Sequence, residues 1–179
     1  MGLHPNVARV TDAAAKLGLQ LRVERFPAGT RTAEDAARAV GCQVGQIVKS
    51  LVFMADERPV IALVSGAHRL DPALLAAVLG AGDVRRATGE EVRAATGFAI
   101  GGVPPLGHDR RLPVVIDRGL LQHDRVWAAA GLPDAVFEVT PQALADAVQA
   151  VAADVVVTAD AEPSPGRQQD LRVSDVSGE

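Results

Sequence analysis

Aromatic side chains are scarce: they make up 3% of the 179 residues, although apolar residues make up 48%. The core must therefore be assembled from Val, Leu, Ile and Ala, and a platform of rings for stacking single-stranded bases is not expected. Cysteine is scarcer still. Cys42 stands alone, which excludes an intramolecular disulfide framework and a thiolate metal cluster and fits a reducing compartment. Basic residues do not dominate: 18 Lys and Arg face 22 Asp and Glu, a formal charge of −4. That balance argues against coating nucleic acid through a broad basic surface, while leaving room for a local patch. No run approaches the roughly 18 uncharged apolar residues of a membrane span, and the N-terminus lacks the basic-then-apolar pattern of a signal peptide. The expected location is cytoplasmic, with neither membrane nor DNA as a partner. His4, His68, His108 and His123 show no metal-ligand spacing, so no metal is expected.

The length suits one domain around one core. Val7, Val10, Ala14 and Leu17 recur at helical spacing before Gly18, which predicts a first helix with a glycine stop. An extended segment over 21–26 follows. Thr32 with Asp35 forms a capping box for a helix ending near Gly41. Strands are predicted over 47–54 and 60–64, paired antiparallel through the polar link 55–59. Asp71 and Pro72 open a helix whose expected buried stripe is Leu74, Leu75, Val78 and Leu79, stopped by Gly80. Thr88 with Glu91 caps a short helix that runs out by Gly97. Strands over 113–117, 126–129 and 135–139 read as successive sheet members. A helix from Thr140-Pro141 to about Ala150 and a short strand over 154–158 close the pattern. The order is mixed rather than alternating, which favours an α+β fold with a mixed sheet. Residues 1–159 form the expected domain, and 160–179 read as a flexible polar tail, too poor in apolar surface to offset its ordering entropy.

Two features carry chemistry. In the segment 47–53 the strand period puts Ile47, Lys49, Leu51 and Phe53 on one face and Val48, Ser50 and Val52 on the other. Both faces are apolar, as in a central strand. An ammonium there either finds an anion or lowers its pKa, or else its stem packs and its head reaches water. The second feature is the run from Thr96 to Gly107, with Gly101-Gly102 followed by Pro104-Pro105. Paired glycines let a backbone approach a ligand with its amides inward, and prolines stiffen the loop. A rigid connecting turn reads equally well. Neither a nucleotide-hydrolase phosphate loop nor a dinucleotide fingerprint is present. Ser65 follows a strand but lacks the setting of a nucleophile elbow. Arg69, Arg85, Arg86, Arg110 and Arg111 are either phosphate contacts around a pocket or ordinary surface arginines.

Thr32-Ala-Glu-Asp-Ala-Ala, Ile47-Val-Lys-Ser-Leu-Val-Phe, Ala62-Leu-Val-Ser-Gly, Leu70-Asp and Thr96-Gly-Phe-Ala-Ile-Gly-Gly-Val-Pro-Pro-Leu-Gly stand in one order over one domain length. Over about residues 5–158 the set resembles the YbaK/EbsC family, which includes the editing domain of bacterial prolyl-tRNA synthetases. The resemblance implies a mixed, partly barrel-like β-sheet flanked by helices. It implies hydrolysis of the ester joining a mischarged amino acid to the terminal adenosine of tRNA, with no metal or organic cofactor. Lys49 is then the essential group, holding the adenosine or phosphate end, and the segment from Gly101 to Pro105 supplies amides near the scissile carbonyl. On this reading the catalytic set is Lys49, Gly101 and Gly102. The substrate-binding set is Thr30, Thr32, Ser50, Phe53, Val64, Ser65, Gly66, Gly97, Ile100, Val103, Pro104 and His108. Phe53, Val64, Ile100 and Val103 would line an apolar pocket for a small group such as alanyl, cysteinyl or seryl. Where some relatives carry a pocket histidine or aspartate, this chain offers only Asp134.

The partner this implies is mischarged tRNA, held at its acceptor end by arginines such as Arg69, Arg85, Arg86 and Arg110, with a synthetase as a further candidate. A non-catalytic aminoacyl-tRNA or synthetase-associated binding module, and a general small-ester hydrolase, are the competing functions.

Overall fold

The computed structural model describes residues 2–26 and 32–157. Among these residues five α-helices and eight strands are arranged as an α+β fold, and the strands form two sheets that do not close into a barrel. The larger sheet contains β2 (Val48–Ala55), β3 (Arg58–Ser65), β4 (Val84–Arg86), β5 (Val114–Asp117) and β8 (Val151–Ala153), in the order β4-β2-β3-β5-β8. Its β4-β2-β3 part is antiparallel, and β3-β5-β8 is parallel. The smaller sheet is antiparallel, with β7 (Ala135–Val139) between β1 (Val23–Arg25) and β6 (Val126–Ala129). The strands over 113–117, 126–129 and 135–139 are thus not neighbours in one sheet: β5 belongs to the larger one and β6-β7 to the smaller.

β3 shows why the larger sheet lies at the centre. Ile61 and Leu63 face the inter-sheet core with Val48, Val52, Ile116, Ala128 and Phe137, while Val60, Ala62 and Val64 face a second cluster with Phe53, Leu75 and Val155. Apolar residues on both faces of a strand require a covering layer on each side. Helix α1 (Pro5–Lys16) closes the first cluster with Val7, Val10 and Ala14. Helix α3 (Pro72–Leu79) closes the second with Leu75. The remaining helices are α2 (Ala33–Val40), α4 (Gly89–Thr96) and α5 (Pro141–Val148).

Local signals in the sequence position these elements. Both capping boxes form: Thr32 Oγ1 accepts from Asp35 N and Asp35 returns to Thr32 N, and Thr88 with Glu91 does the same. The link between β2 and β3 is tighter than the predicted 55–59, because Asp56 and Glu57 take positive φ values of 46° and 62°. That is the two-residue turn whose twist matches an antiparallel pair. The Asp56 carboxylate secures it by accepting from Gly82 N and Asp83 N.

Three expectations need correction. The α3 stripe is narrower than predicted: Leu75 is fully buried and Leu79 packs half-buried against the same cluster, but Leu74 and Val78 are 39% and 38% exposed, on the side of the helix turned away from it. The last strand is β8 at Val151–Ala153, and within 154–157 only Val156 makes a bridge, to Leu70. β4 was not anticipated, since three residues with two arginines carry no period-2 apolar signal. The tail assignment for 160–179 lies outside the described residues. No helix among the described residues is long and apolar enough to cross a membrane.

Truncating Leu75 to Ala should cost about 2–5 kcal/mol in urea unfolding, as deletion of a buried leucine does. Leu74→Ala, one residue earlier on the exposed side, should cost about 0.5 kcal/mol or less; equal losses would restore the broad stripe.

Candidate active site

The edge of β2 that faces β4 is only partly covered. β4 pairs with Phe53, Met54 and Ala55, and Ala87 N–H adds one bond to Val52 O at 3.1 Å. At the other end Ile47, just before β2, makes a parallel bridge to Trp127 of β6. Between these points no described strand lies along that edge. Ile47 O accepts from Gly66 N on the β3 side, so strand alternation turns the peptide groups of Val48, Ser50 and Val52 toward the β4 side. At Ser50 this is open space, and a cleft of about 310 Å³ lies there.

The cleft is lined by the start of α2 at Thr32, Ala33 and Ala36, by Ile100, Gly101 and Val103 of the glycine loop, and by Trp127, Ala128 and Pro133. The walls are mainly apolar. Ser50 Oγ, in the floor, is buried with no hydrogen-bond partner among the described residues, a costly state that a ligand or water would relieve.

Lys49 also lines the cleft. It is half-buried, and its Nζ donates to His68 O, leaving two of its three donors unused there. None of the ion pairs among the described residues includes it. Burial is the main cause that pushes its pKa down; Arg86 adds to the fall, and Glu34 opposes it. Lys49 is therefore a cation held against a protein carbonyl at the rim of an apolar cleft, neither paired with a carboxylate nor fully hydrated.

The two loop glycines differ. Gly101 lines the cleft with φ +98°, a conformation that side chains resist. Nothing among the described residues accepts from its N–H or from that of Val103. Gly102 is buried behind the loop, its N–H is committed to Ala99 O at 3.2 Å, and a Cβ there would lie 2.9 Å from Leu132 Cα. The anticipated amide pair at Gly101-Gly102 is corrected accordingly: Gly102 allows close packing, and Gly101 faces the open space.

Of the other anticipated residues, Thr32, Ser50, Ile100 and Val103 stand in the cleft wall. Phe53 and Val64 do not: they share the face of Lys49, but Phe53 lies where β4 already covers the β2 edge and Val64 lies on the inner strand β3, and both are packed in the cluster beneath α3. Ser65 is buried and donates to Gly45 O at 2.8 Å. Gly66 sits where a Cβ would meet Val44 O at 2.7 Å, and Gly97 is the left-handed cap of α4. Pro104 and His108 lie behind the loop, where His108 Nε2–H donates to Pro104 O at 2.7 Å. Thr30 lies outside the described residues. Asp134 is paired with Arg25 at 2.8 Å and is absent from the wall. Arg85 is not available to phosphate as expected, since Glu91 and Glu57 hold its guanidinium. That contact pulls the Glu91 pKa down to about 2. Arg86, one residue on, lines the cleft. Trp127 escaped sequence reasoning, although its being the sole tryptophan was a usable signal.

The model of the aminoacyl-tRNA editing domain matches residues 27–147. The chain is 29% identical over 114 residues to a candidate Cys-tRNA(Pro)/Cys-tRNA(Cys) deacylase, EbsC, of Enterococcus faecalis, over 63% of this chain and 70% of that protein. It is 39% identical over 79 residues to a proline–tRNA ligase of Nitratidesulfovibrio vulgaris, over 44% of this chain, and spans only 14% of the ligase. A crystal structure of a candidate trans-editing enzyme for prolyl-tRNA synthetase is similar with TM-score 0.83 and 47% identity, over 88% of this chain and all of that one.

Two outcomes test the loop. Gly102→Ala should destabilise the protein by about 1–3 kcal/mol in chemical unfolding, since backbone must move to admit the methyl; an unchanged midpoint would remove the packing role. Burial lowers the pKa of His108 below its usual 6.5. In the window below 6.5 the unfolded chain therefore takes up a proton that the folded one refuses, and stability falls as pH drops. His108→Gln should flatten the loss of stability between pH 7 and pH 5; an identical slope would contradict this assignment.

Proposed function

The chain belongs to the aminoacyl-tRNA editing domain family, and from that membership we propose that it is a trans-acting deacylase that hydrolyses the ester of mischarged tRNA. The observation that carries the reading is the cleft that has Lys49 on its rim and Gly101 on its wall. An aminoacyl ester is already activated, so hydrolysis requires positioning, a held water and stabilisation of the negative charge that develops on the carbonyl oxygen. The N–H groups of Gly101 and Val103, which have no acceptor among the described residues, are suited to that oxygen. The Lys49 ammonium is suited to the adenosine or phosphate end, with one donor anchored on His68 O. Water adds to the carbonyl carbon, the bond to the ribose oxygen breaks, and that oxygen leaves with a proton. The ribose hydroxyl beside the ester can relay the proton, so no side-chain nucleophile is required.

Apolar side chains at Val103, Ala128 and Val136 favour a small acyl side chain of the alanyl, cysteinyl or seryl kind. The acceptor end of the tRNA is the part bound. Similarity to prolyl-tRNA synthetase editing proteins supports a synthetase as a further partner, and a cytoplasmic location accords with a role in translation.

Purified protein should deacylate at least one mischarged tRNA in a panel covering all the amino acids. Lys49→Ala should lower kcat/KM on that substrate by at least 10²-fold, and Lys49→Arg should not restore it in full because a planar fork replaces a compact ammonium. An intact panel would sink the deacylase reading; tight binding of an uncleavable aminoacyl-adenosine without turnover of the ester would identify a binding module instead.

A further inference from the structure

β4 carries two adjacent arginines, and a strand sends neighbouring side chains to opposite faces. The guanidinium of Arg85 is consumed by Glu91 at 2.8 Å and Glu57 at 2.9 Å. These contacts tie β4 to the β2–β3 turn and to the cap of α4, so the strand is rigidly placed. Arg86 is the opposite case. It is exposed, lines the cleft, and takes part in none of the ion pairs among the described residues. Its backbone pairs with Phe53, which places it on the Lys49 side of the sheet, four residues along β2 from the lysine. The charges of Arg86 and Lys49 are near enough to be felt at the lysine, where Arg86 disfavours the ammonium.

Two like charges at one cleft raise each other's energy unless an anion joins them. The cleft walls are mainly apolar, and among the described residues Glu34 is the carboxylate that opposes the fall in the Lys49 pKa without forming an ion pair with it. A compact anion that bridges the two cations satisfies both. The aminoacyl-adenosine moiety carries none, but the phosphodiester that joins it to the preceding nucleotide does. We propose that Arg86 and Lys49 form a clamp for that phosphodiester, with Arg86 as the residue that separates aminoacyl-tRNA from free aminoacyl-adenosine. Arg86 supplies a planar pair of donors matched to phosphate oxygens, and Lys49 supplies a point charge. This rests on the deacylase reading, since it specifies the polynucleotide side of the same cleft.

The test uses two uncleavable probes in which an amide replaces the ester: an aminoacyl-CCA trinucleotide and the corresponding aminoacyl-adenosine without phosphate. Wild type should bind the trinucleotide more tightly. Arg86→Ala should weaken the trinucleotide by at least tenfold and the nucleoside by no more than twofold, with Arg86→Lys intermediate. The slope of log affinity against log salt for the trinucleotide should shrink by about 0.7, the value for one phosphate contact on a single strand. Arg118→Ala, outside the cleft wall and paired instead with Asp154, should leave both affinities unchanged. Equal weakening of the two probes by Arg86→Ala, or no weakening of either, overturns the clamp while leaving the deacylase reading intact. Failure of wild type to bind either probe overturns both.

Discussion

The site depends on one interrupted hydrogen-bond ladder. β2 is paired along its whole length to β3, but among the described residues its other edge is paired only from Val52 onward to β4 and bridged only at Ile47 toward β6. A strand edge inside a protein normally finds a partner, because an unpaired peptide group away from water costs about as much as a lost hydrogen bond. Here the gap is wide enough to make a cleft, and the residues that flank it, Lys49 and Ser50, carry polar groups whose requirements the protein satisfies in part or not at all. A central strand with a local opening is a way to bring an ammonium, a hydroxyl and peptide dipoles to an apolar cavity while the surrounding sheet keeps them fixed.

The supporting parts act on this opening from both sides. Trp127 anchors the smaller sheet at Ile47, and the same side chain packs with Ala36, Ala37 and Val136, so that α2 and β7 are held at the cleft. On the Gly101 wall, Gly102 lets the loop press against Leu132, Pro104 and Pro105 are buried, and His108 ties the Pro104 carbonyl. The effect is to present Gly101 in a conformation that only glycine adopts readily. None of the residues behind the loop needs to touch a substrate to matter for where Gly101 stands.

Much of this was legible in the sequence, and the reasons for the remainder are specific. Both capping boxes, the glycine stops at Gly41, Gly80 and Gly97, and the β2–β3 pair were readable because each is a local pattern. The family resemblance placed the α+β fold and the pairing of the lysine strand with the glycine loop. Sheet membership was not legible, since whether β5 joins β3 or β6 is decided by packing between residues distant in sequence. For the same reason alternation does not show that Phe53 and Val64 pack in a core cluster while Lys49, on the same face, lines the cleft: what separates them is how far the β2 edge is covered by β4. Arg85 and Arg86 look alike in sequence, and only the carboxylates of Glu57 and Glu91, far along the chain or on the next helix, distinguish them.

The central claim is that the opening beside Lys49 receives an aminoacyl-adenosine with its carbonyl toward the Gly101 turn. A crystal structure of the protein with an amide-linked aminoacyl-adenosine tests it most directly. The account requires the carbonyl oxygen within hydrogen-bond distance of a Gly101 or Val103 N–H and the ligand beside Lys49 and Ser50. A ligand seated elsewhere, or one lying in the cleft with its carbonyl turned away from those amides, would contradict it.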